Sequence, residues 1–336
     1  MRQRTGRLGV SLEGSRSVPE FNAAYDKVFA PERLTLGLMT PIGVTTGRPA
    51  DVIDSIALAR RAEAHGFDAL WARDVPLMVP QASPNDPAPA QASAVDDPFV
   101  WLTLLACSTS RIALGLAAAV LPLRHPLHVA KAALSLDRIS QGRFLLGLGS
   151  GDRPEEFSAF GADLEQRAQT FRARWPLLRS ALASTDDGRA LMLQDAGYPV
   201  LPPLAARIPM LVVGSARQSL QWIAEHADGW ATYHREEATQ EGRIGLWHQA
   251  QQQKLGTVRR PFVQSAQLDL LEDPTAPATP LDLGLRGGSA AVVAYLARMR
   301  ALGVSHVMFN LSARRPADEV IEQIGSEIIP ALSATR

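Results

Sequence analysis

The sequence of 336 residues has little of what several classes of protein require. Its single cysteine, Cys107, excludes an internal disulfide, so we expect a reducing, cytoplasmic compartment. No run of about 18 apolar residues is present, which excludes an apolar membrane span. The arginines near the N-terminus are not followed by an apolar run, so we expect no secretory signal there.

Neither sign of charge is in excess. The chain has 34 Lys and Arg against 34 Asp and Glu, and its pI is about 7.1. Proteins that bind nucleic acid or an anionic membrane carry a basic patch or stripe, which this balance does not indicate. We therefore expect neither nucleic acid nor a membrane as a partner.

Motifs for metal, hydrolytic and dinucleotide chemistry are also missing. The sequence has no HExxH, no CxxC and no carboxylates clustered at metal-ligand spacing, so no metal site is predicted. It has no G-x-S-x-G elbow of a serine hydrolase. Gly147 and Gly149 follow an apolar run, but the third glycine of a dinucleotide fingerprint is replaced by Asp152.

The chain does have eight apolar, strand-like runs that alternate with amphipathic helical patterns. Between the first two runs, for example, Asp51 is placed to cap a helix that Gly66 ends. The pattern predicts an α/β fold, a (β/α)8 TIM barrel with loop insertions over residues 34–336, preceded by an N-terminal arm over residues 1–33. A doubly wound open sheet is the alternative. The eight runs are Leu34–Met39, Ala69–Trp71, Ile112–Leu121, Phe144–Leu148, Pro209–Val213, Gly229–Thr232, Phe262–Leu268 and His306–Leu311.

Three segments rich in proline or of mixed composition are predicted to be loops, over residues 76–98, 183–208 and 272–282. The first follows the second strand, and in a barrel it belongs at the catalytic face, where long loops cover ligands.

The stretch from Arg111 to Gly161 carries a family resemblance. The motifs LPLRHP, LDRISQGRF, LGLGSG and EFSAFG occur in this order and resemble the middle of the bacterial luciferase-like, flavin-dependent oxidoreductases. The resemblance extends from about Leu34 to His234 and again from Gly287 to Pro330. It implies a (β/α)8 barrel that binds FMN, forms a homodimer and oxidises a small organic substrate with O2. Reduced FMN would come from direct NAD(P)H use or from a separate flavin reductase.

Candidate cofactor residues follow from the rule that ligands bind at the carboxyl ends of barrel strands. In the turn VVGSARQS a strand ends at Val213, and Ser215 is predicted to start a helix. The free N–H groups of that helix start, the Ser215 and Ser219 hydroxyls and the Arg217 guanidinium together suit a phosphate monoester. Two small residues of the third strand, Ala117 and Ala118, leave room for a flat ring. By resemblance they are linked by an unusual peptide bond behind the flavin, and Gly149 and Ser150 match positions of the family that flank the ring and reach the phosphate side. The predicted cofactor-binding residues are Ala117, Ala118, Gly149, Ser150, Arg153, Gly214, Ser215, Arg217 and Ser219.

Candidate catalytic residues are Arg73, Asp74 and His125. Arg73 and Asp74 are adjacent after the second strand, where they either act on substrate or flavin or form a partly exposed ion pair. His125 matches a histidine of the family's LP-x-x-HP turn and is either catalytic or structural. The catalytic histidine of luciferase corresponds here to Val75, so the resemblance does not imply light emission.

No side chain accepts hydride or activates O2 efficiently, so a site of small residues and few acid–base groups implies a cofactor. The sequence therefore predicts an FMN-dependent monooxygenase or oxidoreductase. A deazaflavin-dependent dehydrogenase on the same barrel and a flavin-binding protein without turnover are the alternatives.

Overall fold

The computed structural model describes residues 20–31, 33–43, 48–78, 80–81, 91–92, 94–183, 200 and 206–334. Most of the first two predicted loops and residues 1–19 of the predicted arm lie outside the described residues. Within the third predicted loop, Thr279–Leu281 forms a short antiparallel ribbon with Gly284–Gly287, and this ribbon extends one edge of the seventh barrel strand.

Eight parallel strands close into a barrel, because each pairs with its neighbour along the chain and the last pairs with the first. The predicted (β/α)8 barrel is thus confirmed, and the open-sheet alternative is wrong. The strands are β1 (Thr35–Met39), β2 (Ala69–Ala72), β3 (Ala113–Val120), β4 (Phe144–Gly149), β5 (Met210–Val213), β6 (Gly229–Tyr233), β7 (Phe262–Leu270) and β8 (Val304–Leu311). A separate two-stranded ribbon joins Pro80–Gln81 and Gln91–Ala92.

Helices connect the strands and cover the outside of the barrel. Asp51 caps the second helix as predicted, since its carboxylate accepts the N–H groups of Ile53 and Asp54. The described helices are α1 (Ala23–Val28), α2 (Val52–Ala64), α3 (Pro98–Ser108), α4 (Pro126–Ile139), α5 (Pro154–Ala159), α6 (Arg167–Ala181), α7 (Leu220–His226), α8 (Glu237–Leu255), α9 (Ser289–Leu302), α10 (Ala317–Gln323) and α11 (Ile329–Ala334). No described helix is both long and apolar enough to cross a bilayer.

The barrel interior contains a series of hydrogen-bonded polar side chains as well as apolar ones. Trp71 donates its indole N–H to His306 Nε2 at 3.0 Å, so the proton of this ring lies on Nδ1, which faces Thr35 Oγ1 at 2.7 Å. Complete burial lowers the pKa of His306 to about 3, so the imidazole stays neutral. Gly115 has to lack a side chain, because a Cβ there would lie 2.2 Å from the Trp71 ring.

Helix α1 closes the end of the barrel where the strands begin. Asn22, its N-cap, donates to Asp137 Oδ1 and to the Phe144 carbonyl, each at 2.7 Å. Val28 and Phe29 pack into the same apolar cluster as the barrel interior. The described part of the predicted arm therefore packs against the barrel end opposite to the predicted site.

Candidate active site

A cavity of about 290 Å³ opens at the carboxyl ends of β2 to β6. Ten of the twelve predicted site residues line it, and His125 and Ser219 do not. The barrel thus brings together predicted residues from four strand ends, those of β2 to β5. The ten are Arg73, Asp74, Ala117, Ala118, Gly149, Ser150, Arg153, Gly214, Ser215 and Arg217.

The cavity also has lining residues that the sequence analysis missed. Tyr233 ends β6, so the rule of strand ends could have found it. Glu156 and Arg167 lie in helices α5 and α6, where neither a strand end nor a motif marks them.

One wall of the cavity is a surface of small residues on β3 and β4. Ala117 and Ala118 are joined by a cis peptide bond, the unusual link that the resemblance implies. Gly149 faces them closely, since a Cβ at this position would lie 3.3 Å from the Ala118 Cβ. No bulky side chain projects from these three residues, so a flat group fits against the wall.

The turn after β5 forms the neighbouring wall. Gly214, Ala216 and Arg217 all have positive φ, between 45° and 67°, a region that non-glycine residues seldom occupy. Trp230 anchors the turn by donating its indole N–H to the Gly214 carbonyl at 2.6 Å. Ser215 and Arg217 are exposed, so a hydroxyl and a guanidinium are available to an anion in the cavity.

Helix α7 begins later than the sequence suggested. The prediction that Ser215 starts it is wrong, because the helix begins at Leu220 and Ser219 is its N-cap. Ser219 Oγ accepts the Trp222 N–H at 3.2 Å, which is an ordinary capping bond. The turn, and not the helix end, therefore lies at the cavity.

Asp74 is paired with a distant arginine and not with its neighbour Arg73. Arg124 donates to both carboxylate oxygens through Nε and Nη2, each at 2.7 Å, and the Val120 N–H donates to Oδ2 at 3.1 Å. Arg124 Nη2 also donates to Asp97 Oδ2 at 2.9 Å. The hydrogen bonds that Arg124 donates to these carboxylates, to Asp74 above all, raise the pKa of Arg124. Asp74 thus joins the turns after β2 and β3.

Arg73 projects into the barrel mouth above Trp71, because alternate residues of a strand share a face. It forms no hydrogen bond or ion pair with any described residue, and its Nε is buried. Burial lowers the pKa of Arg73, and Arg153 adds to this while Tyr233 opposes it. The cavity therefore contains an uncompensated guanidinium.

The other charges in the cavity are partly compensated. Arg153 lies 3.2 Å from Glu156 Oε1, and that carboxylate is 1% exposed. Burial raises the pKa of Glu156, while Arg153 lowers it. Ser150 is buried beside them.

His125 caps helix α4 and lies outside the cavity. Its Nδ1 accepts the Leu127 N–H at 3.2 Å, and its ring lies 6.0 Å from the ring of His128. The catalytic role of His125 stays a prediction. Among the described residues, no three His, Cys, Asp or Glu side chains are grouped to hold a metal.

Comparisons with known proteins bear on this site. The family model of luciferase-like monooxygenases matches residues 33–259. An uncharacterized protein of Mycobacterium tuberculosis is 31% identical over 193 residues, which are 54% of this chain and 67% of that protein. An F420-dependent secondary alcohol dehydrogenase with an F420-acetone adduct superimposes with a TM-score of 0.68 at 13% identity, over 89% of this chain and 99% of that one. The oxygenating constituent of 3,6-diketocamphane monooxygenase from Pseudomonas putida, in complex with FMN, superimposes with a TM-score of 0.67 at 15% identity. The match covers 89% of this chain and 98% of that one.

Both structural likenesses show the fold, a (β/α)8 barrel. Because the family model covers more than half of the chain, the protein belongs to the luciferase-like monooxygenase family. The resemblance seen in the motifs is thereby confirmed. Membership makes the protein an oxidoreductase.

Proposed function

We propose that this protein is an FMN-dependent monooxygenase that oxidises a small organic molecule with O2. One observation carries the proposal. In a single cavity, the small-residue wall of Ala117, Ala118 and Gly149 meets the turn that exposes Ser215 and Arg217. A planar ring and a phosphate monoester, the two recognisable parts of FMN, fit these two walls.

The residues present fit FMN by size and by charge. Gly149 leaves a space that a side chain would fill, since its Cβ would meet Ala118 at 3.3 Å. Ser215 and Arg217 supply a hydroxyl donor and a fixed cation for a phosphate, and Ser150 and Arg153 stand beside them. Arg153 forms an ion pair with Glu156, so Arg217 is the main positive charge for the phosphate.

Bound reduced FMN would supply the electrons for inserting one oxygen atom of O2 into the substrate. The protein's own contribution is binding, orientation and exclusion of water. The bidentate pair of Asp74 and Arg124 fixes the turns after β2 and β3, which border the small-residue wall. No histidine or cysteine is among the described residues that line the cavity, in keeping with chemistry that the cofactor performs.

Two measurements test the proposal together. We expect FMN to bind the purified protein, with quenching of flavin fluorescence, and to compete effectively against F420. With reduced FMN and oxygen-18 gas, a metabolite extract should yield a product that carries one oxygen-18 atom only when the protein is present.

Other results would replace this function. Preferential binding of F420 with hydride transfer and no label from O2 would make the protein a deazaflavin-dependent dehydrogenase. Binding of FMN without any turnover would make it a flavin-binding protein.

We further propose that the protein is a cytoplasmic homodimer and that a separate reductase supplies reduced FMN. Family membership supports the homodimer and the reductase. Sedimentation at micromolar protein concentration checks the dimer.

A further inference from the structure

Arg73 differs from every comparable arginine in the described part of the chain. Six arginines there have a buried Nε without a hydrogen bond: Arg73, Arg167, Arg207, Arg260, Arg286 and Arg315. The other five reach a carbonyl or a carboxylate through the guanidinium. Arg73 reaches none. A half-buried cation without an acceptor in the protein is costly, which indicates that a ligand supplies the acceptor.

The surroundings of Arg73 contain no anion that could serve. The groups that act on it electrostatically are Tyr233 and Arg153, and neither is a carboxylate. The adjacent carboxylate of Asp74 is 3% exposed and already holds three hydrogen bonds from Arg124 and the Val120 N–H. The missing acceptor must therefore come from outside the described protein.

The position of Arg73 separates it from the phosphate turn. Arg73 follows β2, whereas Ser215 and Arg217 follow β5, so β3 and β4 with their small-residue wall lie between them. A ring held by its phosphate at the turn would extend along this wall toward Arg73. The guanidinium then faces the space beside the ring where a substrate enters.

The same site shows which acceptor suits such a guanidinium. Arg124 binds Asp74 side-on, with Nε to one carboxylate oxygen and Nη2 to the other. Arg73 has no described partner on either terminal nitrogen, and an end-on pair of hydrogen bonds from Nη1 and Nη2 likewise matches the two oxygens of a planar carboxylate. We propose that Arg73 binds the carboxylate of an anionic substrate beside the FMN ring. This assignment rests on the proposed function, because it places the substrate next to the bound flavin.

The test uses FMN-loaded protein and three carboxylate probes: benzoate, phenylacetate and hexanoate, each with its amide. Binding is followed by the change in the flavin absorption spectrum and by calorimetry, neither of which needs turnover. We expect at least one carboxylate to bind about tenfold or more tightly than its amide, because only the carboxylate accepts a charge-assisted pair.

Three variants test whether Arg73 causes the preference for a carboxylate over its amide. Arg73→Met should lower it to below about threefold, and Arg73→Lys should retain part of it, because a point charge replaces the fork. Arg172→Met is the matched control. Arg172 lies outside the cavity, over the Trp222 ring, so its loss removes one charge and should leave the preference intact.

The outcomes distinguish failure of this assignment from failure of the proposed function. Equal binding of carboxylates and amides by the wild type, or an unchanged preference in Arg73→Met, overturns the assignment while FMN binding stands. A loss of FMN affinity in Arg73→Met as large as the loss of carboxylate affinity also overturns it, because the guanidinium would then serve the flavin. Absence of FMN binding by the wild type refutes the proposed function and this assignment with it.

Discussion

At the scale of single residues, the structure separates side chains that cap a helix or form an ion pair from those that are exposed at the cavity. Asp74, His125 and Ser219 each hold bonds within the fold: an ion pair to Arg124 and two helix-capping bonds. Ser215 and Arg217 are exposed at the cavity. Chemical type alone does not distinguish Ser215 from Ser219, whereas their positions do: Ser215 Oγ accepts the Arg217 N–H within the turn that lines the cavity, and Ser219 Oγ caps α7 outside it.

The two serines give a paired prediction. Ser215→Ala should weaken FMN binding by about 1–2 kcal/mol, because a charge-assisted hydrogen bond to the phosphate is lost. Ser219→Ala should instead lower the free energy of unfolding by about 1 kcal/mol through loss of the cap on α7. Fluorescence titration with FMN and chemical denaturation measure the two effects. A larger loss of FMN affinity in Ser219→Ala than in Ser215→Ala would place the phosphate at the helix end.

At the scale of elements, one carboxylate joins helix α2 to the start of β3. Glu63 accepts the backbone N–H groups of Ser110, Arg111 and Ile112, at 2.6 to 2.9 Å through Oε1. Burial would raise the pKa of Glu63, but these hydrogen bonds outweigh it and lower the pKa to about 2. The charged form is therefore stabilised by folding.

A pH-dependent loss of stability follows from Glu63. A lowered pKa means that its contribution is present above pH 4.5, the ordinary value, and disappears as the pH falls toward 2. Glu63→Gln should cost about 1–2 kcal/mol of unfolding free energy at pH 7, after allowance for its partial exposure, and much less near pH 2. Urea denaturation at several pH values measures this. The control is Glu322→Gln, which breaks an exposed pair with Arg61 and should cost less than about 0.5 kcal/mol.

At the scale of the whole molecule, the packing of α1 under the barrel depends on a buried acid. Asp137 is 7% exposed and accepts a hydrogen bond from Asn22 at 2.7 Å. Burial raises the pKa of Asp137 to about 6, although hydrogen bonds from Asn22 and Phe144 lower it in part. Folding thus favours the protonated form of this carboxyl.

The sign of the effect is opposite to that of Glu63. The contribution of Asp137 is complete below about pH 3.8 and is lost as the pH rises through 6. Asp137→Asn keeps a carbonyl acceptor for Asn22 without the charge. At pH 7.5 its free energy of unfolding should therefore exceed that of the wild type by about 1–3 kcal/mol, and its melting temperature should be higher. The difference should vanish at pH 4 in calorimetric melts. A variant that is less stable than the wild type at both pH values would contradict this.

The sequence by itself determined the barrel and most of its ligand face. Periodicity and turn residues are local properties, so the eight strands were found within a few residues of their ends. The rule of strand ends together with the family resemblance found ten candidate residues that line one cavity. Only the tertiary structure decided what those side chains do. Arg124 lies 50 residues from Asp74 in the chain, and this contact leaves Arg73 without a partner. The partner of a charge depends on which strand ends the closed barrel brings together, and no local pattern encodes that.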